Sequence, residues 1–206
     1  MDANLDINKQ TAQAEDFMTK GVDVLIMTPV NEEGVVPILR KAKAEGTPVV
    51  LEGNPAKGMT TLFAICDYDA GYKAGDAVGR ILVSRGEKEA RVMDVGLPLL
   101  SATVLRSLGF MEAIAKHVDA VKVHELDGSG MIDSSVEVAS AALAADSNIN
   151  VIYGINDGSA LGGLQAWRAA GLPEDDLIVA LVHMTRDSSF TCVFWQDDQV
   201  IAAQFD

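Results

Sequence analysis

Cysteine and histidine are scarce in this chain of 206 residues, and their spacing fits no metal site. The two cysteines, Cys66 and Cys192, are far apart, and the three histidines are scattered. Two distant thiols give neither a disulfide-rich framework nor the paired spacing of a zinc site. We therefore expect no metal and no cofactor, and we expect both cysteines to be partly buried thiols.

Positive charge and long apolar runs are also lacking. Lysine and arginine total 16 against 30 acidic residues, which gives a net charge of -14. Backbone phosphates demand a basic surface, so we expect no nucleic-acid partner. No apolar run approaches the ~18 residues of a membrane helix, and the first residues lack the basic and apolar regions of a secretory signal. The hydrophobic fraction of 49% predicts a globular protein with a sizeable core.

The strongest positive signal is a pair of short apolar segments, residues 22–27 and 48–51, with an amphipathic pattern over 32–45 between them. Each segment stops abruptly at turn-forming residues, which is typical of a β-α-β unit with strands buried on both faces. Strand-like and helical segments alternate along the rest of the chain. This order predicts an α/β fold of doubly wound parallel-sheet (Rossmann-like) domains, with helices on both faces of each sheet.

No catalytic motif is present. The chain contains no G-x-S-x-G, no P-loop, no G-x-G-x-x-G and no H-E-x-x-H pattern. The glycines of residues 158–163 fall inside a predicted helix, where packing explains them better than phosphate binding. We therefore expect a binding protein rather than an enzyme, and an enzyme on a Rossmann-like scaffold is only a third possibility.

Polar residues follow the predicted strands at their carboxyl ends, where ligands bind in open parallel sheets. Any one of them fits a cap on the following helix, but together they point to one edge. Carboxylates and amides in this arrangement hydrogen-bond vicinal hydroxyls, and such a site rejects analogues that lack them. Arg106, on the helix after strand 91–95, either joins this group or is a surface arginine that forms a salt bridge nearby. The candidate residues are Thr28, Glu52, Asp67, Asn156, His183 and Asp206.

With these residues in place, the chain resembles the type I periplasmic sugar-binding proteins, the ribose- and galactose-binding group of ABC importers. Matching residues occur in the family's order and spacing over nearly the whole chain. They are Asp2, Ala3, Asn4, Gln13, Asp16, Phe17, residues 20–26, Pro29, Lys41, Ala42, residues 46–50, Asp67, Ala70, Gly71, Ala74, Gly75, Ser101, and residues 106–110, 155–157 and 160–162.

The resemblance implies two similar α/β domains, residues 1–95 and 96–206, joined by a hinge of three crossings and closing over a monosaccharide or related polyol. It implies a periplasmic solute receptor that serves the membrane permease of an ABC importer. The effector-binding core of a lactose-repressor-type transcription regulator shares the fold and is the alternative. The family's ligand positions fall on Thr28, Glu52, Cys66 or Asp67, Leu97, Arg106 and Asn156.

The chain departs from the family's pattern in four places. The family's first strand and helix have no counterpart before Met1, and the return segments that complete both domains would follow Asp206. No aromatic residue occurs at 128–132, and residues 181–184 replace the usual Gly-aromatic-Asp. We therefore expect both domains to be incomplete, with an unpaired strand edge beside residues 22–27. Such an edge predicts marginal stability or self-association.

Overall fold

The computed structural model describes the backbone of residues 1–175, 177–184, 190–196 and 199–205, and the side chains of residues 1–175 and 177–182. The helices are α1 (Ile7–Thr19), α2 (Val36–Glu45), α3 (Asp67–Ser84), α4 (Ser101–Ile114), α5 (Ile132–Ala145) and α6 (Asp157–Ala169). The strands are β1 (Leu25–Met27), β2 (Val49–Glu52), β3 (Thr61–Phe63), β4 (Glu89–Gly96), β5 (Asp119–Asp127), β6 (Val151–Gly154), β7 (Ile178–Met184), β8 (Phe190–Gln196) and β9 (Gln199–Phe205). Within the described residues, no helix has both the length and the apolar character needed to cross a membrane.

The chain divides into two compact units, each with its own sheet. The first unit comprises Met1–Ile65 with Leu99–Ala102, and the second comprises Cys66–Pro98 with Thr103–Asp206. This grouping differs from the expected division after residue 95. Strand β4 runs through that position without a break and pairs with β5 and β6, so α3 and β4 pack within the second unit.

The first unit is a three-stranded parallel sheet in the order β1-β2-β3, with α1 and α2 packed on one face. The buried core between sheet and helices contains Ala14, Met18, Leu25, Val35, Ile38, Leu39, Ala42, Val49 and Leu51. The opposite face is open, since Ile26 is 70% exposed and Phe63 is 68% exposed. The expectation that these strands are buried on both faces is therefore wrong, because the described helices of this unit cover only one side.

Proline and glycine delimit the β1-α2-β2 unit as the sequence predicts. Pro37 lies in the first turn of α2, where a backbone N–H would have no partner within the helix. Gly46 ends the helix in the left-handed conformation, with a φ of 79° that favours glycine. The chain then returns as β2 in parallel with β1, and this register places Thr28 beside Glu52 at the carboxyl end of the sheet.

The second unit is a six-stranded sheet in the order β5-β4-β6-β7-β8-β9. The first four strands are parallel, and β8 and β9 extend the sheet as antiparallel strands. Helices α3 and α4 cover one face around Phe110 and Tyr153, whose ring centroids lie 4.0 Å apart. Helices α5 and α6 cover the other face around Met93, Ile152 and Trp167. This arrangement confirms the predicted doubly wound α/β fold.

Candidate functional site

In the first unit, Thr28 and Glu52 lie next to each other at the carboxyl end of the sheet. Thr28 directly follows β1, and Glu52 is the last residue of β2. The Thr28 hydroxyl donates a hydrogen bond to Glu52 Oε2 at 2.8 Å. Both residues are exposed, so the pair offers hydroxyl and carboxylate oxygens to a ligand. The structure thus brings together two of the predicted site residues.

Gln10 of α1 holds the turn that carries Thr28. Its Nε2 donates to Thr28 O at 2.8 Å, and its Oε1 accepts from Val30 N–H at 2.9 Å. Sequence reasoning missed Gln10, because a glutamine on the polar side of a helix gives no signal of what that side contacts. A cavity of about 650 Å³ adjoins these residues. It is also lined by Asn4, Gln13, Phe17, Leu25, Ile26, Met27 and Glu52.

In the second unit, an ion pair joins the buried Asp67 to the partly buried Arg106. Asp67 is the first residue of α3, and Arg106 lies on α4. Arg106 Nε donates to Asp67 Oδ1 at 2.6 Å, and Nη1 donates to Ile155 O at 2.9 Å. The side chain of Arg106 is 17% exposed and that of Asp67 is 5% exposed. Arg106 thus forms a salt bridge, but with a predicted site residue and away from the open surface. These bonds use two of the five N–H donors of the guanidinium.

Asp67 lies at a different place in the fold from the predicted one. Strand β3 ends at Phe63, so Asp67 begins α3 and does not end a strand. An acidic side chain is favoured in the first turn of a helix, near the partial positive charge of its N-terminus. Cys66, expected to be partly buried, is an exposed free thiol. The side chain of Cys192 lies outside the described residues.

Asn156 caps helix α6. Its Oδ1 accepts from Ser159 N–H at 2.9 Å, and its Nδ2 donates to Gly130 O at 3.2 Å. The capping alternative is confirmed for this residue, and a contact with a ligand stays a prediction. Asn156 directly follows Ile155, whose carbonyl accepts the bond from Arg106. The capping residue therefore directly follows the residue whose carbonyl binds Arg106.

For two of the remaining candidates, His183 and Asp206, the structure does not describe the side chain. His183 lies in β7, where its backbone pairs with Thr191 of β8, and its side chain is outside the described residues. Asp206 also falls outside them. Leu97 directly follows β4 and is half-buried. Among the side chains that the structure describes, no group of three or more His, Cys, Asp or Glu residues is arranged to hold a metal ion.

Comparison with known protein families places residues 1–200 within the model of the periplasmic binding protein domain. The ribose import binding protein of Bacillus subtilis is 27% identical over 181 residues, which cover 87% of this chain and 57% of that protein. The ribose import binding protein of Haemophilus influenzae is 30% identical over 175 residues, which cover 82% of this chain and 58% of that protein.

The fold is also similar to that of solved structures. An ABC transporter solute binding protein from Mycobacterium smegmatis, with bound glycerol, superposes with a TM-score of 0.77 at 26% sequence identity. The match covers 87% of this chain and 61% of that one. The chain therefore spans less than two thirds of the length of these relatives.

Proposed function

Since the chain belongs to the periplasmic binding protein domain family, we propose that it is the solute receptor of an ABC importer and binds a monosaccharide or a related polyol. Relatives named as ribose import binding proteins support a monosaccharide as the ligand, and the relative with bound glycerol supports a polyol. The proposal includes a periplasmic location and delivery of the sugar to the membrane permease of the importer. It involves no chemical step, because such a receptor acts by binding and release.

The largely buried Asp67–Arg106 pair is the observation that carries this proposal. A buried ion pair is weak support for stability, so its presence calls for another role. The guanidinium of Arg106 has further N–H donors for hydroxyl or ring oxygens, and charged hydrogen bonds are the strong ones. Thr28 and Glu52 supply exposed oxygens of complementary chemistry in the first unit. Groups of this kind select ligands rich in hydroxyls, because an analogue without them leaves polar atoms unpaired.

The second candidate is the effector-binding core of a lactose-repressor-type transcription regulator. The net charge of -14 and the ribose import relatives favour the receptor. The two functions differ in the partner that responds to the sugar. If the sugar-loaded chain stimulates the ATPase of a ribose-class ABC importer in proteoliposomes, the receptor is supported. If sugar binding changes affinity for operator DNA instead, the regulator is supported.

Calorimetric titration with ribose, xylose, glycerol and myo-inositol tests the proposed binding. We expect at least one of these polyols to bind. A ligand present at a hundredfold excess over its Kd is expected to raise the free energy of unfolding by about 2.7 kcal/mol, which a thermal melt readily detects. If no compound of this panel binds or shifts the melt, the proposal is contradicted.

Variants of one polar group in each unit test whether that group contributes to sugar binding. Replacing Arg106 with alanine is expected to weaken binding about tenfold or more, because a charged hydrogen-bond donor is lost. Thr28 is exposed, so for Thr28→Val we expect a smaller loss without a change in melting temperature. Arg91→Ala is the matched control, since Arg91 is a half-buried arginine of the second unit that pairs with Glu89 and Asp146. Equal losses in Arg106→Ala and Arg91→Ala would argue against the assigned site.

We also propose that copies of the chain self-associate through the free edge of β1. Within the described residues β1 has a neighbour on one side only, and the side chains of Val24 and Ile26 beside that edge are exposed. Leu25 N–H donates to Pro48 O of the β2 side. The peptide groups of Ile26 alternate with those of Leu25 and therefore point to the free side. In a solution of the pure chain, strand edges of other copies are available to pair with them.

A further inference from the structure

A second cavity lies in the second unit, between helix α4 and the edge strand β5. Its volume is about 520 Å³, which lies within the range of small-molecule sites. The predicted sugar-site residues Asp67, Arg106 and Asn156 do not line it. Its wall is formed by Asp94, Gly96, Leu97, Pro98, Thr103, Val104, Ser107, Leu108, Lys122, Glu125, Leu126 and Asp127.

A β-bulge in the edge strand places the charged residues of this cavity on one face. Val92 pairs with Lys122, but the register then skips Val123, so that Asp94 pairs with Glu125. In a regular strand, residues three positions apart point to opposite faces of the sheet. The skipped residue instead puts Lys122 and Glu125 on the same face as Asp94. Bulges that re-aim side chains in this way are common at sheet edges and next to functional sites.

The bulge assembles a charge cluster around the buried Asp94 in the cavity wall. The Asp94 side chain is 3% exposed, its Oδ1 accepts from Ser107 Oγ at 3.0 Å, and its Oδ2 pairs with Lys122 Nζ at 3.1 Å. Lys122 Nζ also pairs with Glu125 Oε1 at 3.1 Å. Burial raises the pKa of Asp94 against the opposing effect of Lys122 and Ser107. Buried charges with shifted pKa values in a cleft are typical of functional sites.

The polar wall carries an excess of negative charge. Asp94, Glu125 and Asp127 contribute three carboxylates, and Lys122 contributes one ammonium. Lys122 is shared between Asp94 and Glu125, so one ammonium faces three carboxylates and the excess negative charge lies at Glu125 and Asp127. Both of these residues are exposed, so a ligand reaches them without displacing the buried pair.

The opposite wall is apolar and exposed. Val104 and Leu108 lie one turn apart on α4, and they are 47% and 46% exposed. Leu97 extends this surface from the end of β4. The cavity thus has an apolar side and an anionic side, which suits a ligand with an apolar body and a positive charge.

We propose that this cavity binds a small organic cation, with its apolar body against Val104 and Leu108 and its ammonium group near Glu125 and Asp127. Of the positions assigned to the sugar, Leu97 also lines this cavity, but the assigned contacts of the cation are Val104, Leu108, Glu125 and Asp127, and the argument does not use the sugar. Binding of a cation here therefore stands or falls independently of sugar binding.

Three probes of similar size and different charge test the proposal: 2-phenylethylammonium, 2-phenylethanol and 3-phenylpropionate. Titration calorimetry of the wild-type chain at low salt measures each affinity. We expect the cation to bind up to about fivefold more tightly than the alcohol, which is the effect of an exposed ion pair, and the carboxylate to bind most weakly. The differences in affinity between the three probes are expected to shrink at high salt, because exposed charges are screened. Equal affinities at low salt, or tightest binding of the carboxylate, would overturn the proposal.

Two substitutions locate the bound probe. Leu108→Trp fills the cavity from an exposed helix position and is expected to abolish binding of the cation. Leu161→Trp is the matched control, because Leu161 is 43% exposed on α6 and does not line the cavity. Glu125→Gln is expected to remove most of the preference for the cation over the alcohol. Unchanged binding in Leu108→Trp, or an equal loss in Leu161→Trp, would contradict the assigned cavity.

Discussion

At the scale of single residues, two buried carboxylates among the described side chains of the second unit are paired with different cations. Asp67 pairs with Arg106, whose planar guanidinium also reaches the carbonyl of Ile155. Asp94 pairs with Lys122, whose compact ammonium is shared with the exposed Glu125. Unlike Arg106, Lys122 donates no described hydrogen bond to a core carbonyl. Its charge therefore offsets only part of the cost of burying the Asp94 carboxylate. This explains why the pKa of Asp94 is raised despite its partner.

Replacing Asp94 with asparagine is expected to change how stability depends on pH. The pKa of Asp94 in the folded protein lies above its ordinary value of 3.8, because burial disfavours the charged form. The stability that this group contributes is therefore fully present below pH 3.8 and is lost as the pH rises through the raised pKa. The amide of the Asp94→Asn variant does not titrate. The free energy of unfolding of this variant, relative to wild type, is thus expected to increase as the pH rises from 3.8 through the raised pKa of Asp94.

Urea unfolding at several pH values measures this difference. Asp119→Asn serves as the control, because Asp119 is an exposed carboxylate at the start of the same strand as Lys122. We expect the control to follow the wild-type curve. A constant difference between Asp94→Asn and wild type across the range would show that burial of Asp94 does not shift its titration.

At the scale of elements, helices α3 and α4 approach each other at glycines. Gly71, Gly75 and Gly79 recur every four residues and lie on one face of α3. A Cβ atom at Gly71 would collide with the backbone carbonyl of Arg106, and one at Gly75 with that of Phe110. Only glycine permits this backbone contact. The close crossing sets the distance between the start of α3, which carries Asp67, and Arg106 on α4.

Substitution of Gly71 by alanine is expected to lower the free energy of unfolding by about 3 kcal/mol, because overpacking against rigid backbone forces α4 to move. Gly79→Ala is the comparison on the same helix face. Its new Cβ would meet the side chain of His117, not backbone, so we expect a smaller loss of about 1 kcal/mol. Urea denaturation of both variants checks the order. Equal losses of unfolding free energy in the two variants would mean that α4 can move away from α3 near Arg106 at little cost.

The cap of α6 gives a separate prediction at this scale. Asn156→Ala removes the acceptor for Ser159 N–H, and the expected loss of stability is about 1 kcal/mol. Asn156→Asp keeps an acceptor oxygen and favours the helix N-terminus, but loses the bond to Gly130 O. In thermal melts, the melting temperature of Asn156→Asp is therefore expected to lie between that of Asn156→Ala and that of the wild type. A melt of Asn156→Ala identical to wild type would contradict the capping role.

The elements themselves were largely predictable from local pattern. A run of small residues and an end signal at Gly86 predict a helix over residues 68–83, and α3 spans Asp67–Ser84. Strand β8, Phe190–Gln196, was not assigned. The regular alternation of strands and helices gives no signal for a hairpin at the end of such a series. The open face of the first sheet was also missed, because an apolar run shows that a strand suits burial but not what covers it.

The candidate site was predictable to the extent that strand order determines it. Thr28 and Glu52 meet because parallel strands end at one edge, and this follows from the β-α-β pattern. The contact of Gln10 with the Thr28 turn depends on how α1 packs, which local pattern does not encode. The bulge at Val123 was invisible for the same reason, since it arises from the pairing of two strands.

At the scale of the whole molecule, two features act in opposite directions on association. The net charge of -14 makes copies repel one another, and this repulsion weakens as salt screens it. The first unit nevertheless exposes Val24, Ile26 and Phe63 beside strand edges that the described chain does not pair. Exposed apolar edge strands are templates for pairing with other chains. Association is therefore expected to increase with salt, the opposite of what attraction between charges would give.

Replacing Ile26 with lysine is expected to keep the chain monomeric, because a charge on an edge strand opposes edge-to-edge pairing. Size-exclusion chromatography with light scattering measures the mass over a concentration series at low and high salt. The mass of the wild type is expected to rise toward that of a dimer as the protein concentration and the salt concentration increase. Val83→Lys is the control: Val83 is 53% exposed on α3, so lysine there adds the same charge away from the β1 edge. A wild type that is monomeric throughout, or equal association of all three proteins, would argue against pairing through β1.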